Sequence, residues 1–275
     1  PFNFGGIVNL NRNYYGHGSY ITKKSNGNKI RFTTQIGYDI ASQSDKRKRY
    51  KNNEGYRGEK TLGQIESFKS FGIYFTENMS FGRFKLSGGI RWDNNFLKVD
   101  DEFFSNGDDS GNTNLSAWSN EIGLSYKILD KSYFFVNSSQ SYETPTLSEL
   151  SANPNGQGGF NDLLNVQKAK NFDFGFNFKF ESTSFSIIGF IVSTKNDLIP
   201  YEVADFPGRT FYQNAGETLR KGIEFDFNYR LSKKFSTSIV YNYANFKYDE
   251  YTLDGLNLKG NYMPGIPKRF GNFEL

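Results

Sequence analysis

The chain has 275 residues, of which 18% are aromatic, with 29 Phe, 18 Tyr and 28 Gly and a mean hydropathy of −0.64. It has no cysteine and one histidine, His17. That excludes disulfides, thiol catalysis, Cys-ligated metals and multi-histidine metal sites, and it argues against a Ser-His-Asp triad. The net charge of +4 is uneven, with a basic stretch at Asp45–Lys60 (DKRKRYKNNEGYRGEK) and an acidic one at Asp100–Asp109 (DDEFFSNGDD). A soluble core of this length draws mainly on Leu, Val, Ile and Ala; here Phe and Tyr supply much of the apolar surface.

In chain order, Pro1–Gly6 (PFNFGG) shows neither the basic start nor the apolar centre of a signal peptide, so the start reads as an internal cut or a processed end. Strands are then predicted at Ile7–Thr22, Ile30–Ala41, Glu66–Thr76, Arg83–Asp93, Ala117–Ile128 and Ser132–Ser141. They continue at Ala169–Phe180, Phe185–Lys195, Thr218–Leu231 and Phe235–Phe246, with a last one starting near Lys268. The clearest is Asn171–Phe180, NFDFGFNFKF, in which five phenylalanines alternate with polar residues or glycine. Successive side chains of a strand point to opposite faces, so such a strand shows phenyl rings on one side and polar groups on the other. Ile223–Leu231, Phe84–Trp92 and Trp118–Ile128 alternate similarly. Long two-faced strands suit a barrel with lipid outside and water inside.

The connections alternate in kind. Lys23–Lys29, Glu77–Gly82, Leu129–Lys131, Glu181–Ser184 and Ser232–Lys234 read as tight turns. Ser42–Ile65, Asn94–Ser116, Tyr142–Lys168, Asn196–Glu217 and Lys247–Pro267 read as long polar loops. Short turns on one rim and long loops on the other fit the periplasmic and extracellular sides of an outer-membrane barrel. No stretch has the roughly 18 consecutive apolar residues of a membrane helix.

The predicted fold class is therefore all-β, a transmembrane antiparallel β-barrel. Every backbone polar group in lipid needs a partner within the protein, so the sheet must close. About eleven strands are counted, whereas bacterial single-chain barrels have even numbers. Residues 1–275 are thus expected to be part of a larger barrel, with further strands and any plug domain outside this chain.

Signals for catalysis or metal binding are weak. His17, in NYYGHGSYIT, is expected to line the pore or the rim. Asp100, Asp101, Asp108 and Asp109 lack the EF-hand register and read as solvated loop acids rather than a Ca²⁺ site. Gly88, Gly89 and Gly123 fall within strands, where packing or curvature accounts for them. Glu224, Asp226 and Arg230 sit on a polar strand face and are expected in the lumen, because lipid would penalise them. The basic stretch sits between two amphipathic strands and not on a helix face, which disfavours nucleic acid as a partner.

Several segments together resemble the barrel of TonB-dependent outer-membrane receptors, especially ferric-citrate- and siderophore-receptor-like members. They are Asn11–Thr22, Ile36–Gly55, Gln64–Phe75 and Gly88–Asp93 (GGIRWD), followed by Ser141–Leu150 (SYETPTLSEL), Tyr212–Glu224 (YQNAGETLRKGIE) and Gly260–Pro267 (GNYMPGIP). The residues that carry the resemblance most directly are Glu143, Thr144, Pro145, Thr146, Glu149, Leu150, Asn214, Ala215, Gly216, Gly222 and Glu224. Leu164–Lys168 (LNVQK) departs from the family's L-x-P-E pattern. The resemblance implies a 22-stranded barrel, an N-terminal plug and a TonB box coupling to the TonB complex, the last two lying outside this chain. It also implies import of a scarce nutrient, a ferric siderophore or ferric citrate, with no catalytic activity and no cofactor.

The candidate ligand residues are Arg47, Lys48, Arg49, Lys51 and Arg57 of the basic loop, which would focus an anionic chelate, and Arg220 and Arg230 of the lumen. Outer-membrane lipid and lipopolysaccharide are the other expected partners. The alternatives are a glycan or cobalamin importer of the same family, a non-transporting adhesin or assembly barrel, and a soluble carbohydrate-binding β-sandwich.

Overall fold

The computed structural model describes residues 6–27, 29–154, 158–203, 208–253 and 255–275. The expected processed end, residues 1–5, lies outside them. Ten long strands follow one another: β1 (Ile7–Asn26), β2 (Ile30–Asn53), β3 (Tyr56–Phe81), β4 (Phe84–Asp101), β5 (Gly111–Leu129), β6 (Ser132–Glu143), β7 (Gln167–Phe180), β8 (Thr183–Glu202), β9 (Thr210–Arg230) and β10 (Ser236–Glu250). A one-turn helix, α1 (Leu147–Leu150), lies between β6 and β7. A small hairpin of β11 (Thr252–Leu253) and β12 (Leu256–Asn257) precedes β13 (Arg269–Glu274). Strands β1 to β10 and then β13 form one 11-stranded sheet in chain order, every described neighbouring pair antiparallel. It is a meander, the sheet of a partial barrel; among the described residues no helix is long and apolar enough to cross a membrane.

Antiparallel order puts alternate connections at opposite rims, and the two rims differ as the sequence predicts. At one rim β3–β4, β5–β6 and β7–β8 are joined by residues 82–83, 130–131 and 181–182. Gly82 and Glu181 take positive φ there, 55° and 46°. Two-residue hairpins favour such turns because their twist matches that of the strands.

The other rim corrects the sequence reading. Ser42–Ile65 is not a loop: β2 and β3 stay paired up to a two-residue tip, Glu54–Gly55, with φ of 52° and 94°. The predicted loops Asn94–Ser116, Asn196–Glu217 and Lys247–Pro267 likewise begin or end as strand, since β4 reaches Asp101, β8 reaches Glu202, β9 starts at Thr210 and β10 reaches Glu250. The asymmetry between rims thus comes largely from overhanging strands. Above the hydrocarbon the outer face need not be apolar, so the hydrophobic alternation fades while the hydrogen-bonded ladder continues.

Register sorts the side chains into two faces, because residues directly opposite share a face. One carries Phe71, Phe75, Ile90, Trp92, Trp118, Ile122, Phe134, Phe172, Phe174, Phe176, Ile187, Phe225 and Phe227. The other carries Asp39, Asp45, Glu66, Arg91, Asp93, Asp173, Asn177, Arg220, Glu224 and Asp226. Charge is costly against lipid, so the aromatic face is outer and the charged face is lumenal.

Two sequence readings change here. His17 lies opposite Ile40 and its ring is 5.8 Å from that of Tyr38, so it belongs to the outer face and does not line the pore. The GHGSY stretch has too few apolar residues to set its own phase. In β8 the lumenal positions Ile188, Phe190 and Val192 are apolar, so this wall is not uniformly polar inside. Phe190 lies over Gly222 and Phe135 over Gly175, and a Cβ at either glycine would collide with the ring. Aromatic side chains that fill glycine gaps on a neighbouring strand pin the register of a curved sheet.

Candidate ligand site at the long-strand rim

The described residues between Glu143 and Gln167 fold back over the lumenal face. Thr146 caps α1: its Oγ1 accepts from Glu149 N at 3.3 Å while Glu149 Oε2 accepts from Thr146 N at 2.7 Å. This reciprocal arrangement is the capping box, encoded by Thr and Glu three residues apart. The cap aims Leu150 at Leu97 and Val99 of β4, where Phe160 and Leu164 complete a small buried cluster. Pro145, the residue before the cap, is fully buried.

The second tie is Asn214 of β9. Its Oδ1 accepts from Asn165 N at 2.6 Å, and its Nδ2 donates to the carbonyls of Asn165 (2.9 Å) and Asn196 (2.8 Å). Gly216 takes a φ of 50°, and a Cβ there would collide with the Glu250 carbonyl. The family-like residues therefore have structural roles. Thr146, Glu149 and Leu150 hold α1, Asn214 latches its segment to the strands, Gly216 makes room for β10, and Gly222 accepts Phe190. Glu143 accepts a long hydrogen bond from Gln167 (3.4 Å), and Thr144 is half-buried. Glu224 lines the lumen opposite Ile188 and Asn242. Ala215 pairs with Asp197 through its backbone; its side chain lies outside the described ones.

Beneath α1 is a cavity of about 480 Å³. Arg47, Arg49, Gln64 and Glu66 of the β2–β3 hairpin form one wall, Asn106 and Asp109 of the β4–β5 loop another, Leu147, Ser148 and Ser151 the cover, and Arg209 the far side. Three guanidinium groups thus meet two carboxylates in a concave, water-accessible space. Arg47 Nε lies 3.2 Å from Glu66 Oε1 but makes no well-aligned hydrogen bond there. Arg209 stacks on the Phe211 ring, 5.0 Å from its centroid.

Carboxylates on the lumenal side, all but Asp39 buried, stand next to arginines. Arg12 Nη2 is 2.6 Å from Asp45 Oδ2, Arg91 bridges Asp93 and Asp39 at 2.7 Å each, and Arg220 Nη2 is 2.9 Å from Asp197 Oδ2. Asp45 is 1% exposed and sits beyond the outer apolar run of β2, which ends at Ile40. The hydrogen bond from Arg12, aided by Gln43, holds its carboxyl below the ordinary range. The sequence reading did not single out Arg12, Asp45, Glu66, Arg91 or Asp197. The signal was present for Arg12, Asp45, Glu66 and Arg91, each at a lumenal position of its strand, but not for Asp197, which is out of phase with Ile188, Phe190 and Val192 and follows Asn196 with its φ of 56°.

The basic cluster is split by the pleat. Arg47 and Arg49 share the lumenal face with Asp45, whereas Lys48 is one residue out of phase and takes the outer face. Lys51 pairs with Glu59 at 2.8 Å near the hairpin tip, and Arg57 lies over the Tyr50 ring at 4.5 Å. Arg220 is engaged by Asp197, and Arg230 stands at the short-turn rim, where its N–H donates to Ser182 O. The structure therefore brings together Arg47 and Arg49 and leaves Lys48, Arg57, Arg220 and Arg230 elsewhere.

The acidic loop acts on its own backbone. Asp101 accepts from Phe103 N (2.7 Å) and Asp109 N (3.1 Å), and Asp108 accepts from Ser110 N (2.9 Å). The bonds from Ser110 keep the Asp108 carboxyl below its ordinary range. Among the described residues no three His, Cys, Asp or Glu side chains gather as a metal site.

The fold now has a match. Residues 1–275 fit the family described as TonB dependent receptor-like, beta-barrel. The chain belongs to that family. It is part of an outer-membrane barrel. The ferric citrate transporter FecA in its unliganded form superposes with a TM-score of 0.76 at 17% identity, covering 98% of this chain and 40% of that one. The ferric yersiniabactin uptake receptor FyuA from Yersinia pestis gives 0.68 at 15% identity, covering 98% and 40%. The siderophore receptor PiuA from Acinetobacter baumannii gives 0.70 at 14%, covering 97% and 44%. The chain spans about two fifths of the length of these structures, and at such identities the likeness is one of fold.

Proposed function

We propose that this chain is the ligand-capturing half of a TonB-dependent importer for an anionic metal chelate, a ferric siderophore or ferric citrate. The observation that carries the reading is the chamber under α1, where Arg47, Arg49 and Arg209 converge beside Gln64 and Asn106. Its volume falls within the roughly 300–1,000 Å³ of small-molecule sites. Guanidinium forks suit the carboxylate and other oxygen-rich groups of such chelates. Family membership and the fold neighbours, which include receptors for ferric citrate and ferric yersiniabactin, support the same reading.

In this account the overhanging hairpin β2–β3 and the α1 segment receive the chelate, and the arginines orient it. The lumenal charge pairs below offer a polar path. A plug and the remaining strands, supplied by the rest of the full-length protein, complete the barrel, and the TonB complex supplies the energy. No bond of the ligand is made or broken by these residues, so the role is transport and not catalysis. The test is uptake of radiolabelled iron by cells expressing the full-length protein, with and without a functional TonB complex. Uptake of an anionic ferric chelate that requires TonB supports the reading. Uptake unaffected by either the receptor or TonB overturns it.

A further inference from the structure

Down the lumenal wall the arginines are held by carboxylates: Arg12 by Asp45, Arg91 by Asp93 and Asp39, and Arg220 by Asp197. The other lumenal charges of the middle wall, Glu121, Asp173, Glu224 and Asp226, are acidic. Toward the short-turn rim the sign reverses. Arg31, Ser80, Lys85 and Ser125 lie directly opposite one another across β2 to β5, in phase with Asp39 and Arg91 and therefore on the lumenal face. Arg83 stands on the turn beside them, and Lys127 of β5 faces Tyr133 of β6. Lys179 of β7 and Arg230 of β9 continue the same phase along the rim.

Arg31, Arg83, Lys85, Lys127, Asp130 and Tyr133 line a second cavity, of about 470 Å³. Its one carboxylate is taken, since Lys127 Nζ lies 3.0 Å from Asp130 Oδ1. The side chains of Arg31, Arg83 and Lys85 are exposed and have no ion pair, hydrogen bond or ring contact among the described residues. Two guanidinium forks and an ammonium thus face a concave space with no acceptor from this chain to answer them. Guanidinium groups favour planar oxyanions such as carboxylate. The lumenal phase of Arg31 and Lys85 turns them away from lipid headgroups. A cleft lined by one sign of charge concentrates ions of the other.

We propose that Arg31, Arg83 and Lys85 form a second anion site, at the periplasmic mouth of the lumen, which receives the anionic chelate as it leaves the barrel. The inference rests on the import reading above and adds the exit side to it. The acidic middle wall gives an anion no resting place, whereas cations at the far end favour its departure from the chamber and oppose its return. Sixteen residues of β2 separate Arg31 from Arg47, about 50 Å of extended strand. That is several screening lengths at physiological ionic strength, so the mouth acts on release and leaves first capture untouched.

The test compares binding with uptake in cells expressing the full-length receptor. The probe is radiolabelled ferric citrate, or the anionic ferric siderophore that the parent imports. In R31Q/R83Q/K85Q the saturated uptake rate should fall about tenfold, the lower end of what charge focusing supplies. Its affinity for the chelate, measured on de-energised cells, should stay within about twofold of the parent because the chamber is out of range of these charges. The charge-preserving variant R31K/R83K/K85R should import at nearly the parental rate. So should K23Q, which removes an outer-face lysine opposite Thr34 near the same rim. Unchanged affinity also shows that the triple Gln variant is folded. A parental uptake rate in that variant, a loss of affinity matching the loss of rate, or an equal loss in the charge-preserving variant would overturn the mouth site and leave the import reading standing. Absence of TonB-dependent uptake of any anionic chelate by the parent would overturn the import reading, and the mouth site with it.

Discussion

Asn214 takes both backbone groups of Asn165, accepting from its N–H at 2.6 Å and donating to its carbonyl at 2.9 Å. The two residues are 49 positions apart in the chain. One side-chain amide thereby ties the segment that covers the chamber to the strand that lines the lumen.

Replacing Asn214 by Ala removes these bonds, and because Asn165 and Asn196 are exposed, water takes their place. Each bond lost costs about 0.5–1.5 kcal/mol net. The expected outcome is faster amide exchange and proteolysis between Glu143 and Gln167, with the sheet below unchanged. Protection equal to that of the parent would show that the latch does not hold this segment.

Leu150 is 1% exposed and packs on Leu97 and Val99. Leu150→Ala should loosen the same segment by about 2–5 kcal/mol, the usual cost of emptying a buried leucine site. Glu149→Ala, which removes half of the capping box, should cost about 1 kcal/mol. Limited proteolysis of the folded receptor ranks the two, and the order Leu150→Ala before Glu149→Ala is the expected one.

The assignment of faces is tested by neighbouring residues of β7. Phe174→Lys places a charge against lipid and should cost about 2–4 kcal/mol near mid-membrane. Asp173→Lys keeps the charge in the lumen and should leave refolding into bilayers largely intact. Comparable losses in both would contradict the alternation.

Much of this fold was legible because lipid enforces contrast. Phe172 to Phe180 must alternate with polar residues when one face meets hydrocarbon and the other water, and register places every second residue as expected. Legibility fails where that contrast ends. DKRKRY is polar on both faces, so β2 could not be followed past Ala41, although the ladder runs on to Asn53. The same blindness merged Arg47 and Lys48 into one cluster, when the pleat sends them to opposite sides. The chamber needs four chain segments that only the tertiary fold brings together. The Thr146–Glu149 spacing was nonetheless a readable capping signal within the family-like stretch.

Acid should act on the β2–β3 hairpin through Asp45. Its folded pKa lies below the ordinary carboxylate range, chiefly because Arg12 donates to it. The stabilisation is therefore present at and above the ordinary carboxylate pKa and is lost as pH falls through the lower folded value. Amide exchange along β1 and β2 should accelerate in strong acid in the parent. In Asp45→Asn that acid-dependent step should be missing.

The central claim, that the chamber arginines capture an anionic chelate, is tested most directly by titrating the full-length receptor with ferric citrate and ferric siderophores. The proteins compared are the parent, Arg47→Glu/Arg49→Glu and Lys48→Glu. Charge reversal of the two lumenal arginines should weaken binding of the cognate chelate about tenfold or more, with part of the loss fading as salt screens the field. Reversal at Lys48, one residue away but on the outer face, should change affinity by no more than about twofold. Equal losses in the two variants, or undiminished binding in Arg47→Glu/Arg49→Glu, would contradict the account.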